Sequence, residues 1–179
     1  MTFEIPFFIV KDKQGFRKDE GTLRQIGNPT QLVRKLADSG AKLIHIVDLD
    51  AKIGSAANMD IYDKLTYFVN IQVEIGENEN MVERLIGVKA RVVLALPTKL
   101  DLSKWKKNER LFVGLVGPDY KGNAEGVYDV IIENADNEAI KRFSILKKRI
   151  IVFSTDYEKI NASSRKLVWG ILRPIWPLS

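Results

Sequence analysis

The sequence predicts a compact (β/α)8 (TIM) barrel with shortened or missing helices, and three observations carry that reading. Eight apolar runs of strand length recur roughly every 20 to 25 residues, the spacing of alternating strands and helices. The runs are nearly continuous Val, Ile and Leu, as in parallel strands covered by helices. Most connectors between them repeat their apolar residues at helical spacing. Barrels of this class usually take about 250 residues, so a chain of 179 must be stripped down. An open doubly wound α/β sheet with fewer strands is the alternative.

The strands are expected at residues 5–10, 43–49, 70–75, 91–96, 111–116, 127–132, 149–153 and 167–172. Residues 30–39 read as a helix with Leu32, Val33 and Leu36 on one face, Pro29 at its start and Gly40 past its end. Residues 59–68 place Ile61, Leu65 and Phe68 together behind Asn58, a candidate cap. Further helices are expected at 80–85, 102–109 and 137–146, the last with Ile140, Phe143 and Leu146 inward. Residues 117–126, GPDYKGNAEG, are turn-rich and read as a connector without a helix. The whole chain, 1–179, reads as one barrel domain.

Composition narrows the function. The formal charge is +5, but the 28 basic residues are interleaved with 23 acids along the chain. A nucleic-acid binder concentrates its charge, and the densest clusters here, 104–107 and 147–149, read as solvated ends of elements. Neither a nucleic-acid partner nor a membrane is expected. There are no cysteines, which excludes disulfides and thiolate chemistry and suits a reducing cytoplasm. With one histidine and no cysteine, no metal site and no cofactor are expected, although an oxygen-ligated Mg²⁺ on Asp48 and Asp50 stays open.

The most informative stretch is Leu43-Ile44-His45-Ile46-Val47-Asp48-Leu49-Asp50. α/β sheets place ligand sites at the carboxyl ends of their strands. Side chains alternate along a strand, so Asp48 and Asp50 share a face with Ile44 and Ile46, expected to look into the barrel mouth. They read either as contacts to a ligand or a cation, or as a structural pair with Lys11 or a loop amide. His45 falls on the opposite face and reads as a hydrogen-bonded core histidine on the helix side. Lys11, in register with Ile5, Phe7 and Ile9, is expected to point inward, binding an anion, forming a Schiff base if desolvated, or pairing with Asp48. The C-terminal segment with Trp169, Ile171, Ile175, Trp176 and Leu178 reads as packing beneath the barrel or as a homodimer contact.

The helix segment N-P-x-x-L-V-x-K-L-x-x-x-G-A at 28–41, the strand L-I-H-I-V-D-L-D and the Ile61/Leu65 helix resemble the histidine-biosynthesis barrel family. Within it the phosphoribosylformimino-AICAR-ribotide isomerases are the nearer branch. The resemblance implies a barrel of two similar halves holding a ribotide with a phosphate at each end. It implies an Amadori-type aldose–ketose isomerisation driven by aspartates ending the first and fifth strands. Those positions fall on Ile9 and near Val116, neither able to move a proton; Asp12 and Asp119, a few residues on, and Asp48 are the candidates to replace them. The glycine-rich phosphate turn after the third strand falls on Glu74-Ile75-Gly76-Glu77-Asn78, leaving Gly76. The one after the seventh falls on Ser154-Thr155-Asp156, where Ser154 and Thr155 are candidate anion ligands. The expectation is therefore a degenerate relative without the parent activity, binding a small anionic metabolite or a protein partner. An isomerase with displaced acids is the alternative.

Overall fold

The computed structural model describes residues 2–175. In chain order it contains β1 (Phe3–Lys11), β2 (Gln14–Asp19), β3 (Thr22–Gly27), α1 (Pro29–Asp38), β4 (Leu43–Asp48), α2 (Leu49–Lys52), α3 (Met59–Leu65), β5 (Asn70–Glu74), α4 (Glu79–Gly87) and β6 (Arg91–Ala95). A 3-10 run (Leu102–Leu111) follows, then β7 (Phe112–Val116), β8 (Asp129–Ile132), α5 (Asn137–Ile145), β9 (Arg149–Phe153), α6 (Ser154–Tyr157), α7 (Ala162–Arg165) and β10 (Val168–Pro174). The sheet runs β10-β9-β8-β7-β6-β5-β4-β1-β2-β3, and β10 also pairs with β1. That is the strand order of a (β/α)8 barrel carrying one extra hairpin. All eight expected strands are present, and the open-sheet alternative is set aside.

Two compact units are distinguishable. One holds residues 5–92 with 174 and 175, the other residues 2–4 with 93–173.

In the first unit β1, β4 and β5 run parallel, with Phe7 beside His45 and His45 beside Gln72. Helix α1 starts where the sequence places it. Asn28 Oδ1 accepts the N–H groups of Thr30 and Gln31, and Pro29 fills the first turn, where its missing N–H is harmless. Leu32, Val33 and Leu36 are buried. The hairpin β2–β3 was not expected from sequence. It turns twice through pairs with positive φ, Asp12-Lys13 (48° and 62°) and Glu20-Gly21 (47° and 82°). Such turns normally announce themselves by Asn-Gly or Asp-Gly. Asp12 and Lys13 hold the strained conformation because their N–H groups have acceptors, Asp50 Oδ2 at 2.7 Å and Asn58 Oδ1 at 2.8 Å.

In the second unit β7, β8, β9 and β10 run parallel. Their amino-terminal ends are tied by Arg149, whose Nε and Nη2 donate to the two oxygens of the fully buried Asp129 at 2.7 and 2.9 Å. The same guanidinium lies 3.9 Å from the Trp169 ring centroid, and Trp169 stacks on Phe3. Trp169 and the buried Ile171 and Ile175 are thus used within the chain; Trp176 and Leu178 lie outside the described residues. The connector 117–126 is ordered without a helix. Arg142 of α5 donates to the carbonyls of Tyr120 and Gly122, and Tyr120 stacks on Phe143 while its Oη accepts the Ala124 N–H.

Gly76, in the loop after β5, is required by close approach. Its N–H donates to the Ala51 carbonyl, and a Cβ there would lie 2.8 Å from Lys52 O and 3.0 Å from Ala51 O. These are backbone atoms and cannot swing away. Gly76→Ala should therefore cost about 1–3 kcal/mol in urea unfolding. Gly87→Ala, with open space around it, should cost nothing.

Candidate functional site

Asp48 ends β4 and is completely buried. Its Oδ1 accepts the Ala51 N–H and the Asn58 Nδ2–H, both at 2.9 Å, and its Oδ2 accepts the Tyr62 hydroxyl at 2.7 Å. Burial, then the charge and hydrogen bond of Asp48, raise the Tyr62 phenol well above its ordinary range, so it stays a donor. Asn58 also donates to Asp50 Oδ2 at 2.8 Å. The expected cap role of Asn58 is absent because its side chain joins the carboxylates and not the first turn of α3. Tyr62 lies on α3, so the face carrying Ile44, Ile46 and Asp48 is turned toward that helix. The expected orientation is reversed: a carboxylate at a strand end found its donors among helix and loop groups.

His45 consequently lies on the face turned away from the helices, which in a (β/α)8 barrel is the interior. It shares that face with Phe7, Gln72 and Glu74. Arg91 Nη1 donates to Gln72 Oε1 at 3.0 Å, which leaves Gln72 Nε2 to donate to His45 Nδ1 at 3.1 Å. The imidazole proton is thereby assigned to Nε2, which stands 3.6 Å from Glu74 Oε2. Lys52, the last residue of α2, pairs with the other oxygen of Glu74. Burial acts to raise the Glu74 carboxyl, but His45 and then Lys52 outweigh it and hold the group at about 2. The carboxyl end of β5 thus carries a buried carboxylate that is ionised at neutral pH.

The other candidates are dispersed. Lys11 ends β1 exposed, and Asp48 makes its bonds elsewhere. Asp12 and Asp119 are exposed on loops. Ser154 and Thr155 are the first two residues of the four-residue α6, capped by Phe153 with no side-chain bond. Among the described residues no group of three His, Asp or Glu side chains is gathered for a metal. None of their helices is long and apolar enough to cross a membrane. A cavity of about 590 Å³ opens in the second unit, between the loops that follow β6 and β7. Sequence reasoning missed it, since its acids are scattered between residues 101 and 125.

The family model described as histidine biosynthesis protein matches residues 9–99. The chain belongs to that family. Several curated relatives are named 1-(5-phosphoribosyl)-5-((5-phosphoribosylamino)methylideneamino) imidazole-4-carboxamide isomerase. The protein of that name from Methanocaldococcus jannaschii is 26% identical over 168 residues, 86% of this chain and 70% of the relative. The one from Campylobacter fetus is 32% identical over 148 residues, 75% and 62% respectively. The one from Nitrosopumilus maritimus is 34% identical over 97 residues, 50% and 41%. The chain thus spans between 41% and 70% of the length of these three relatives. A thiamine phosphate pyrophosphorylase from Pyrococcus furiosus has a similar fold, with a TM-score of 0.55 at 13% identity over 97% of this chain and 85% of its own.

The depressed Glu74 carboxyl makes stability pH-dependent. Its folded value lies below the ordinary 4.5, so the ionised form stabilises the fold above that pH, and the contribution fades as pH falls toward 2. Urea titrations between those limits should show a loss of about 3 kcal/mol that is absent in Glu74→Gln. In the carboxylate cluster, Tyr62→Phe leaves Asp48 Oδ2 without its hydroxyl donor and should cost about 1–3 kcal/mol at neutral pH.

Proposed function

We propose that this family member has left the ribotide isomerisation and acts by binding a small molecule and not by moving protons. The observation that carries the reading is Glu74. In the isomerase pattern the turn after the third barrel strand is glycine-rich and offers backbone N–H groups to a phosphate. Here that position holds a buried, ionised carboxylate, which presents acceptor oxygens where a phosphate needs donors and engages the Lys52 ammonium beside it. The remaining glycine, Gly76, has given its N–H to Ala51.

The proton carriers support the same conclusion. The isomerase aspartate positions of the first and fifth barrel strands fall on the buried Ile9 and near the buried Val116. Asp48 and Asp50 accept hydrogen bonds from the chain itself, which leaves them as structural groups. Asp12 and Asp119 sit exposed on loops.

The test is incubation with the ribotide beside an authentic isomerase. No conversion is expected, and neither the ribotide nor ribose 5-phosphate should raise the melting temperature. Conversion above the blank that disappears in Asp12→Asn or Asp119→Asn would overturn the proposal and restore displaced acids.

A further inference from the structure

We propose that the cavity between the loops following β6 and β7 binds an aliphatic polyamine. The inference rests on reading the chain as a binding protein and names the ligand class of that role. At about 590 Å³ the cavity falls within the ordinary range for small-molecule sites. Its apolar lining comes from Leu96, Leu100 and Leu102, all half-buried. Its charged lining is Asp101, Glu109 and Glu125 against the single Lys106.

That sorting of charge is not a property of the segment. Between residues 96 and 126 there are six basic residues and four acids, yet only one of the six lines the cavity while three of the four acids do. The fold turns a locally basic stretch into an acid-lined hollow. Nor does the protein's overall field draw cations in, because its formal charge is +5. Asp101 is held below the usual carboxylate range, chiefly by the hydroxyl of Ser103 at 2.6 Å and by that residue's N–H at 3.1 Å.

The arrangement of the acids selects the kind of cation. Among the described residues no three carboxylates are gathered as a metal requires; these three share the lining with three leucines. Ammonium groups separated by methylene chains match both features, placing charge at the rim and hydrocarbon on the leucines. The walls are built before any ligand arrives. Arg142 fixes the carbonyls of Tyr120 and Gly122. At the other end of that loop a Cβ on Gly126 would come within 2.8 Å of Leu102, so the loop lies directly on the 3-10 run.

The experiment is calorimetric titration of the whole chain with spermidine at physiological salt, with backbone amide shifts recorded in parallel. Saturable one-to-one binding is expected, with shifts concentrated in residues 96–126. The double variant Glu109→Gln/Glu125→Gln, altered only at the cavity, should weaken binding by at least about tenfold. A control double variant at remote exposed acids, Glu138→Gln/Glu158→Gln, should bind as the parent does. Absence of saturable binding, or equal weakening in both double variants, would overturn the site, the latter by showing diffuse surface attraction. The ribotide assay reads the underlying proposal separately. Turnover with amine binding intact removes only the loss of isomerisation, and a flat titration without turnover removes only the amine site.

Discussion

The carboxyl end of the first unit depends on one requirement, that the fully buried Asp48 carboxylate be surrounded by donors. A polar group at zero exposure is costly unless hydrogen-bonded, and three donors from three segments meet that need. The Ala51 N–H starts α2, the Tyr62 hydroxyl fixes α3, and the Asn58 amide fixes the loop between them. The rest follows by contact. Asn58 and Asp50 accept the strained N–H groups of the hairpin turn. The carbonyl of Ala51 receives Gly76, and the end of α2 delivers Lys52 to Glu74.

This ordering explains why a strand motif shared with the ribotide isomerases need not report shared chemistry. Leu43 to Asp50 ends in two carboxylates that hold loop and helix donors, which is a structural task. Glu74 is where the two requirements part. Its carboxylate is buried and paired with Lys52, at a position where the resemblance implies a phosphate-binding glycine.

Much of the fold was legible in the sequence. The eight barrel strands were marked by apolar runs, α1 by Asn28, Pro29 and Gly40, and the helix-free connector by its turn residues. The hairpin 14–27 was hidden because its turns use Asp12-Lys13 and Glu20-Gly21, and the positive φ of the first pair is supported by acceptors far away in sequence. Alternation correctly separated His45 from Asp48, but it cannot say which face is inner. The assumption that an acid at a strand's end looks into the mouth reversed them. Arg91, Gln72 and Glu74 gave no motif, since a buried chain of polar groups is assembled across β4, β5 and β6 and has no sequence spacing. The cavity acids were obscured by the lysines beside them, which the fold leaves outside its lining.

The loop after β7 shows how a barrel can shed a crossover helix and still keep a shaped wall. Ordering ten residues carries a conformational-entropy cost, and here much of the restraint is exerted by Arg142 through two carbonyls and by the stacking of Tyr120 on Phe143. Both anchors stand on α5, and neither Arg142 nor Phe143 lines the hollow. The stiffness of that hollow is therefore set remotely. A change at Arg142 or Phe143 would reach the wall of the hollow through Tyr120, which lines it.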